Sequence, residues 1–350
     1  MSYSCKILAI DGGGIRGIIP AYILQQIEAA MKAPIYQIFD VVAGTSTGGL
    51  IALGLTTPTP PYTTPNAPLT ASAVLNLYMT DRDKIFVPQN SGGAEYYGTD
   101  TSTNPPSGIE PWLQSLFPNV TLSQAQTVLK QLNQPMPKQV LTTCFTANGA
   151  SGAAFAPYVF NWADAAAAPG GPDDYCVWEA ARATSAAPSY FPLANVGAGA
   201  TNGSQATQRW GVDGGVTANN PGLYGLAEAF RLGLCSNLND VLIVSLGTGI
   251  YDPALQIFSN GNWSYLEWAY WNGTYPLIDV LTMSNVQAPD QQLQLIMPQG
   301  NYFRLDPAIS AAEAPLDGTD TQALETTAEN YVATGGAGYQ IFQNVIQALG

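Results

Sequence analysis

Residues 38–55, IFDVVAGTSTGGLIALGL, decide the fold. The apolar run 38–43, IFDVVA, reads as a buried strand. Gly44-Thr45-Ser46-Thr47-Gly48 follows it as a turn, and TGGLIALGL continues as an apolar helix. The same grammar occurs upstream. Residues 6–10, KILAI, form a short apolar run that ends in Asp11 and a glycine cluster. Residues 18–31 then carry apolar positions at helical spacing, with Pro20 in the first turn, where a missing N–H costs nothing. Strand, turn and helix repeated twice predict an α/β fold with a parallel sheet. Downstream, 139–147 and 157–162 alternate like neighbouring strands, 241–249 reads as another buried strand, and the chain from about Thr321 is helical. The proline-rich stretch 56–70 and the Gly/Ser/Thr/Asn-rich stretch 87–108 read as loop insertions, because strand and helix signals continue past both. The expectation is one domain over 1–350, with its core at about 6–340.

Composition narrows the chemistry. The 350 residues are 46% hydrophobic and only 10% charged, with a net charge of −14. Such a chain is repelled by phosphate backbones and anionic surfaces, so nucleic acid is excluded as a partner. Any contact with a membrane or micelle surface has to be apolar and aromatic. There is no histidine, which removes histidine zinc sites and every Ser-His-Asp triad. Cys5, Cys144, Cys176 and Cys235 lie far apart and show no metal or redox spacing, so they read as free, mostly buried thiols. No metal and no cofactor is expected. The N-terminus lacks a secretory pattern, and no apolar run reaches membrane-spanning length. A cytoplasmic protein is the expectation, with signal-free export as the alternative.

Three motifs carry chemistry. Gly44-Thr45-Ser46-Thr47-Gly48 fits GxSxG, in which flanking glycines permit a crowded strand-to-helix turn and the serine Oγ projects from the sheet edge. The bland reading is a glycine-rich turn with a serine cap. Gly12, Gly13 and Gly14 after Asp11 expose backbone N–H groups before a helix, which makes an anion site. In acyl transfer that anion is the tetrahedral oxyanion; the bland reading is a tight turn. The loop also fits GxGxxG, but Asp40 opens the next strand instead of closing it, so no carboxylate stands where a ribose needs one. Trp210-Gly211-Val212-Asp213-Gly214-Gly215 places an aspartate where a turn residue is ordinary. Asp213 matters because Ser46 needs a base and few are available. A carboxylate serves only if burial raises its pKa and oxyanion donors share the charge.

DGGGIRG (11–17), GTSTG (44–48) and DGG (213–215), in this order, resemble the patatin-like phospholipases. ARATSAAPSYFP (181–192), SLGTG (245–249) and NYFRLDP (301–307) extend the likeness from about Lys6 to the C-terminal helix. The resemblance implies a three-layer α/β/α fold with a mostly parallel sheet, distantly like the α/β hydrolases. It implies a lipid acyl hydrolase of phospholipase A or carboxylesterase type, acting through a Ser–Asp dyad. Carried over, Ser46 is the nucleophile, Asp213 the base, Gly12, Gly13 and Gly14 the oxyanion hole with Arg16 beside it, and Gly44 and Gly48 flank the nucleophile turn. The implied partner is a lipid or ester substrate.

Two features stand outside these motifs. Residues 263–275 concentrate Trp263, Tyr265, Trp268, Tyr270, Trp271 and Tyr275. Amphipathic aromatics suit a membrane–water boundary or the packing of a helix on the core, and the sequence leaves both open. Asn119, Asn202, Asn262 and Asn272 fit the glycosylation pattern, which matters only in a eukaryotic secretory pathway. Two other functions compete with the hydrolase: a phosphotransferase using DGGG and SLGTG as phosphate loops, which leaves GTSTG unexplained, and a non-catalytic lipid-binding protein of the same fold.

Overall fold

The computed structural model describes residues 3–62, 66–89, 97–148, 155–197, 205–251, 263–271 and 276–350. Asn202, Asn262, Asn272, Tyr275 and part of the 56–70 and 87–108 loops lie outside them.

Among the described residues, eight strands form one mixed sheet: β1 (Cys5–Ile10), β2 (Val41–Thr45), β3 (Gln139–Asn148), β4 (Phe155–Asn161), β5 (Ala194–Val196), β6 (Arg209–Asp213), β7 (Val241–Leu246) and β8 (Tyr302–Leu305). Their order is β5-β6-β3-β2-β1-β7-β8, with β4 also paired to β3. The run β3-β2-β1-β7-β8 is parallel throughout, and β4, β5 and β6 add antiparallel pairs at one end.

Alternation along the strands divides the core in two, because successive side chains leave opposite faces of a sheet. Ile7, Val41, Ala43, Leu141 and Ile243 point to one face, where they meet Leu226 and Ala229 of helix Gly222–Arg231 and Leu293 of helix Pro276–Ile296. Leu8, Ile10, Val42, Val140 and Val244 point to the other, under Ile23, Leu24 and Ile27 of helix Ile18–Met31, Ile51 of helix Thr47–Thr56, and Val345 of the final helix Tyr339–Leu349. This is a three-layer α/β/α arrangement. Both faces of the central strands are covered, which is why they read as continuous apolar runs.

Helix Ile18–Met31 spans the residues its periodicity predicts. The strand expected at 38–43 is displaced. Residues Ile35–Ile38 form one helical turn begun at Pro34, and the strand runs Val41–Thr45. Ile38 and Phe39 are buried against helices and not in the sheet. The strand expected at 241–249 stops at Leu246. Helices Thr321–Val332 and Tyr339–Leu349 fill the predicted helical C-terminal region. All four cysteines are free and buried. Among the described residues no helix is long and apolar enough to cross a membrane.

Candidate active site

The pairing of β3 brings Ser46 and Asp213 together. One edge of β3 is occupied by β4. The other edge is shared by two strands in succession: β2 pairs parallel with Gln139–Thr143, and β6 pairs antiparallel with Cys144–Asn148. Thr45 therefore faces Thr143, and Asp213 faces the next residue, Cys144. Two strands running towards each other along one edge meet at their C-terminal ends. Ser46, one residue beyond β2, donates its Oγ hydrogen bond to Asp213 Oδ2 at 2.6 Å.

Ser46 sits in a demanding turn. Its φ of 52° and ψ of −124° lie in a region that non-glycine residues seldom adopt, and such conformations persist only when their surroundings over-determine them. Here the surroundings do. The Ser46 N–H donates to Thr184 Oγ1 (2.9 Å), and that hydroxyl donates to the Thr143 carbonyl (2.6 Å). Thr45 Oγ1 contacts Thr143 Oγ1 (2.6 Å) and donates to the Ala218 carbonyl (2.7 Å). The turn also requires close backbone approach at its flanks. A Cβ on Gly44 would lie 2.1 Å from the Gly48 carbonyl oxygen, and one on Gly48 would lie 2.1 Å from that of Ile10.

Asp213 is 6% exposed. Burial pushes its carboxyl up to about 6, while the hydrogen bonds from Ser46 and the Gly215 N–H and the charge of Arg182 pull the other way. Its Oδ1 accepts from Gly215 N at 2.7 Å, which leaves Oδ2 to Ser46. The Asp213 N–H donates to the Ala186 carbonyl (3.0 Å) and the Gly214 N–H to the Thr184 carbonyl (3.2 Å). The segment 184–186 thus holds both partners: Thr184 fixes the serine's backbone, and Ala186 fixes the aspartate's. No local pattern in ARATSAAPSYFP (181–192) assigns its residues this supporting role.

The glycine loop lies alongside. Gly12 is clamped on both sides: its N–H donates to the Asn219 carbonyl (3.2 Å), and its carbonyl accepts from Thr248 Oγ1 (2.8 Å) and Asn219 Nδ2 (3.4 Å). The N–H groups of Gly13 and Gly14 meet no acceptor among the described residues. Gly14 has φ +59°, where a side chain would be strained. Of the three N–H groups expected as donors, that of Gly12 is already engaged by the Asn219 carbonyl. Arg16 Nε donates to the Gly13 carbonyl at 3.2 Å, and burial lowers the pKa of its guanidinium against the raising influence of Asp306, Tyr190, Asp279 and Asp11.

Beneath the loop, Arg304 of β8 donates to Asp11 Oδ2 (2.6 Å), Asp306 Oδ2 (2.6 Å) and Ser245 Oγ (2.8 Å). Burial opposes the Arg304 charge, but Asp11 and Asp306 outweigh it and hold the guanidinium charged. This network ties the ends of β1, β7 and β8 together where the loop begins. Among the described residues no group of three or more Cys, Asp or Glu side chains is placed to hold a metal ion.

A cavity of about 350 Å³ opens over Ser46 and Asp213. Gly13, Gly14 and Arg16 line one side, and Ile15, Leu50, Ile85, Phe86, Ile109, Phe191, Trp271, Ile278 and Met283 supply apolar wall. Its size and lining suit a small ligand with a substantial apolar part.

The family model "Patatin-like phospholipase" matches residues 8–224, which hold the Ser46 turn, the glycine loop and Asp213. The chain belongs to the patatin-like phospholipase family. Among its relatives, "Patatin-like protein 2" of Oryza sativa subsp. indica is 28% identical over 85% of this chain and 75% of its own length. "Patatin-like protein 2" of Arabidopsis thaliana is 28% identical over 92% of this chain and 81% of its own. A third relative, "Probable inactive patatin-3-Kuras 1" of Solanum tuberosum, is 27% identical over 93% and 83%. Family membership supports lipid acyl hydrolysis as the general activity of this patatin-like chain.

Proposed function

We propose that this patatin-like protein hydrolyses carboxylic esters of lipids through an acyl-enzyme on Ser46, with Asp213 as its only base. The observation that carries this reading is the 2.6 Å hydrogen bond from Ser46 Oγ to a buried aspartate whose carboxyl is raised to about 6. A carboxylate with that pKa is ionised at neutral pH and a better proton acceptor than an ordinary one.

In the first step Ser46 Oγ bonds to the ester carbonyl carbon, and its proton passes to Asp213 Oδ2. The carbonyl oxygen becomes an oxyanion, received by the unengaged N–H groups of Gly13 and Gly14. Collapse of this intermediate breaks the bond to the alcohol oxygen, which leaves with the proton from Asp213. The acyl group stays on Ser46 as an ester. Water then gives a proton to Asp213 and attacks the acyl carbon. The second collapse expels Ser46 Oγ, which recovers the proton, and the fatty acid leaves. Arg16 beside the loop adds positive charge where the oxyanion forms, and the apolar wall takes the acyl chain.

Turnover of p-nitrophenyl esters of graded chain length tests the reading. Wild type is expected to hydrolyse them, and Ser46→Ala to lose all turnover. Full activity in Ser46→Ala would end it. A second reading, a lipid-binding protein without turnover, predicts no hydrolysis by wild type on any ester or phospholipid; the potato relative, "Probable inactive patatin-3-Kuras 1", gives that outcome weight.

A further inference from the structure

One lip of the cavity is built from aromatic and aliphatic side chains that face outwards. Helix Tyr265–Ala269, the two residues after it and the start of helix Pro276–Ile296 expose Tyr265 (81%), Leu266 (67%), Tyr270 (59%), Trp271 (42%), Leu277 and Leu281. Single exposed apolar residues need no explanation, but a contiguous group at a cavity mouth does. The group is continuous with the cavity wall. Trp271 is both exposed and part of the lining, and on the long helix Ile278 and Thr282 line the cavity one position beyond Leu277 and Leu281. Residues four apart share a helix face, so adjacent stripes of one helix serve the cavity and the outer surface.

The charge pattern selects the kind of surface this lip can meet. No lysine or arginine lies between Arg231 and Arg304, so the whole segment carrying the lip has no cation. Its described charges nearest the lip, Glu267 and Asp279, are acidic. An anionic bilayer is attracted by basic clusters and repelled by such a segment. Aromatic rings with polar tips instead favour the headgroup boundary of an uncharged or zwitterionic layer.

We propose that this lip docks the protein on the surface of a zwitterionic or neutral lipid layer and sets the cavity mouth against it, so that an acyl chain passes from the layer to Ser46 along an unbroken apolar path. This rests on the hydrolase reading only for its purpose, and the test separates the two. Binding is measured by co-sedimentation of the Ser46→Ala protein with phosphatidylcholine vesicles, so no lipid is consumed. The vesicles are compared with phosphatidylglycerol-containing ones at low and high salt. Tyr265→Ser/Leu266→Ser is the surface variant; both side chains are exposed and outside the cavity lining, so folding is not at stake. Binding to phosphatidylcholine is expected to be insensitive to salt, and to weaken about tenfold or more in the surface variant, as loss of that apolar area implies. In the Ser46-intact background, the same variant is expected to hydrolyse p-nitrophenyl butyrate at the wild-type rate. Unchanged vesicle binding in the variant overturns the proposal. So does binding that needs anionic lipid and fails in salt, or a dimer by light scattering that the variant dissociates. Vesicle binding without ester hydrolysis by wild type would leave docking standing and sink the hydrolase reading. Hydrolysis without vesicle binding would do the reverse.

Discussion

Replacing Asp213 with asparagine should make the protein more stable and nearly inactive. Burial raises the Asp213 carboxyl from its ordinary value of 3.8 to about 6. That difference, at about 1.36 kcal/mol per pH unit, is worth about 3 kcal/mol between the protonated and ionised forms. The sign follows from the folded pKa lying above the unfolded one. The native state holds the proton more tightly, so this stability is fully present below pH 3.8 and is lost as pH rises through about 6. Asparagine never ionises and loses nothing over that window. The stability difference between Asp213→Asn and wild type should therefore grow in favour of the variant by about 2 kcal/mol between pH 4.5 and 7.5. Urea denaturation of both proteins at the two pH values measures it, and taking the difference cancels every other titrating group. Hydrolysis of a soluble ester at pH 7.5 should fall by about 10²–10⁴ in the same variant, the usual worth of a general base. A stability difference that is the same at both pH values would refute the argument, because Asp213 would then not be held in the environment that makes it a useful base.

In wild type, kcat/KM for a soluble ester should rise with pH along an acid limb centred near 6, since Asp213 must be ionised to accept the Ser46 proton; a limb at the ordinary carboxylate value would remove burial from the mechanism. Thr184→Val removes the acceptor for the Ser46 N–H and the donor to Thr143, and kcat is expected to drop about tenfold to a hundredfold with little change in KM, read from steady-state kinetics on one ester. Arg304→Met leaves Asp11 and Asp306 without their cation, which should cost about 3–5 kcal/mol in urea unfolding and exceed the effect of Arg231→Met on the surface. Gly48→Ala puts a Cβ 2.1 Å from the Ile10 carbonyl, and soluble yield and thermal stability should fall together.

Much of this architecture is written in local pattern. The runs at 7–10 and 241–244 are apolar throughout because both faces of β1 and β7 are covered, and the helix at 18–31 declares itself by period. Residues 38–40 mislead for a physical reason: a short apolar run belongs equally to a buried strand and to a buried turn of helix, and Pro34 tips the chain into the latter. The Ser46 turn is legible because GxSxG encodes a steric requirement within five residues. The partnership of Ser46 with Asp213 is not, since the two are 167 positions apart and meet only because β2 and β6 end on one edge of β3. Thr184 was likewise invisible as a support, because its hydroxyl bridges backbone groups at 46 and 143 that no local pattern relates. The engagement of the Gly12 N–H by Asn219 depends in the same way on where two distant loops cross.

The absence of histidine from the chain bears on why the geometry is so constrained. A histidine base has a pKa near neutrality without help. An aspartate reaches about 6 only by being desolvated, and desolvating it costs stability. Even then it is a weak acceptor for a serine proton, so the transition state depends on donors that drain charge from the carbonyl oxygen at the same moment. Base and oxyanion donors are therefore coupled: each is of limited use without the other in place. The fold meets this with shared supports. The residues 184–186 fix Ser46 and Asp213 from one side, while Asn219, at the end of the turn that follows Asp213, clamps the glycine loop from the other. A displacement of Asp213 would travel through residues 214–219 to the glycine loop, whose N–H groups are the proposed oxyanion donors. Rigidity at the junction of β2, β3 and β6 thus does for the proposed dyad what a third catalytic side chain does in a triad: it fixes Asp213 in one orientation towards Ser46.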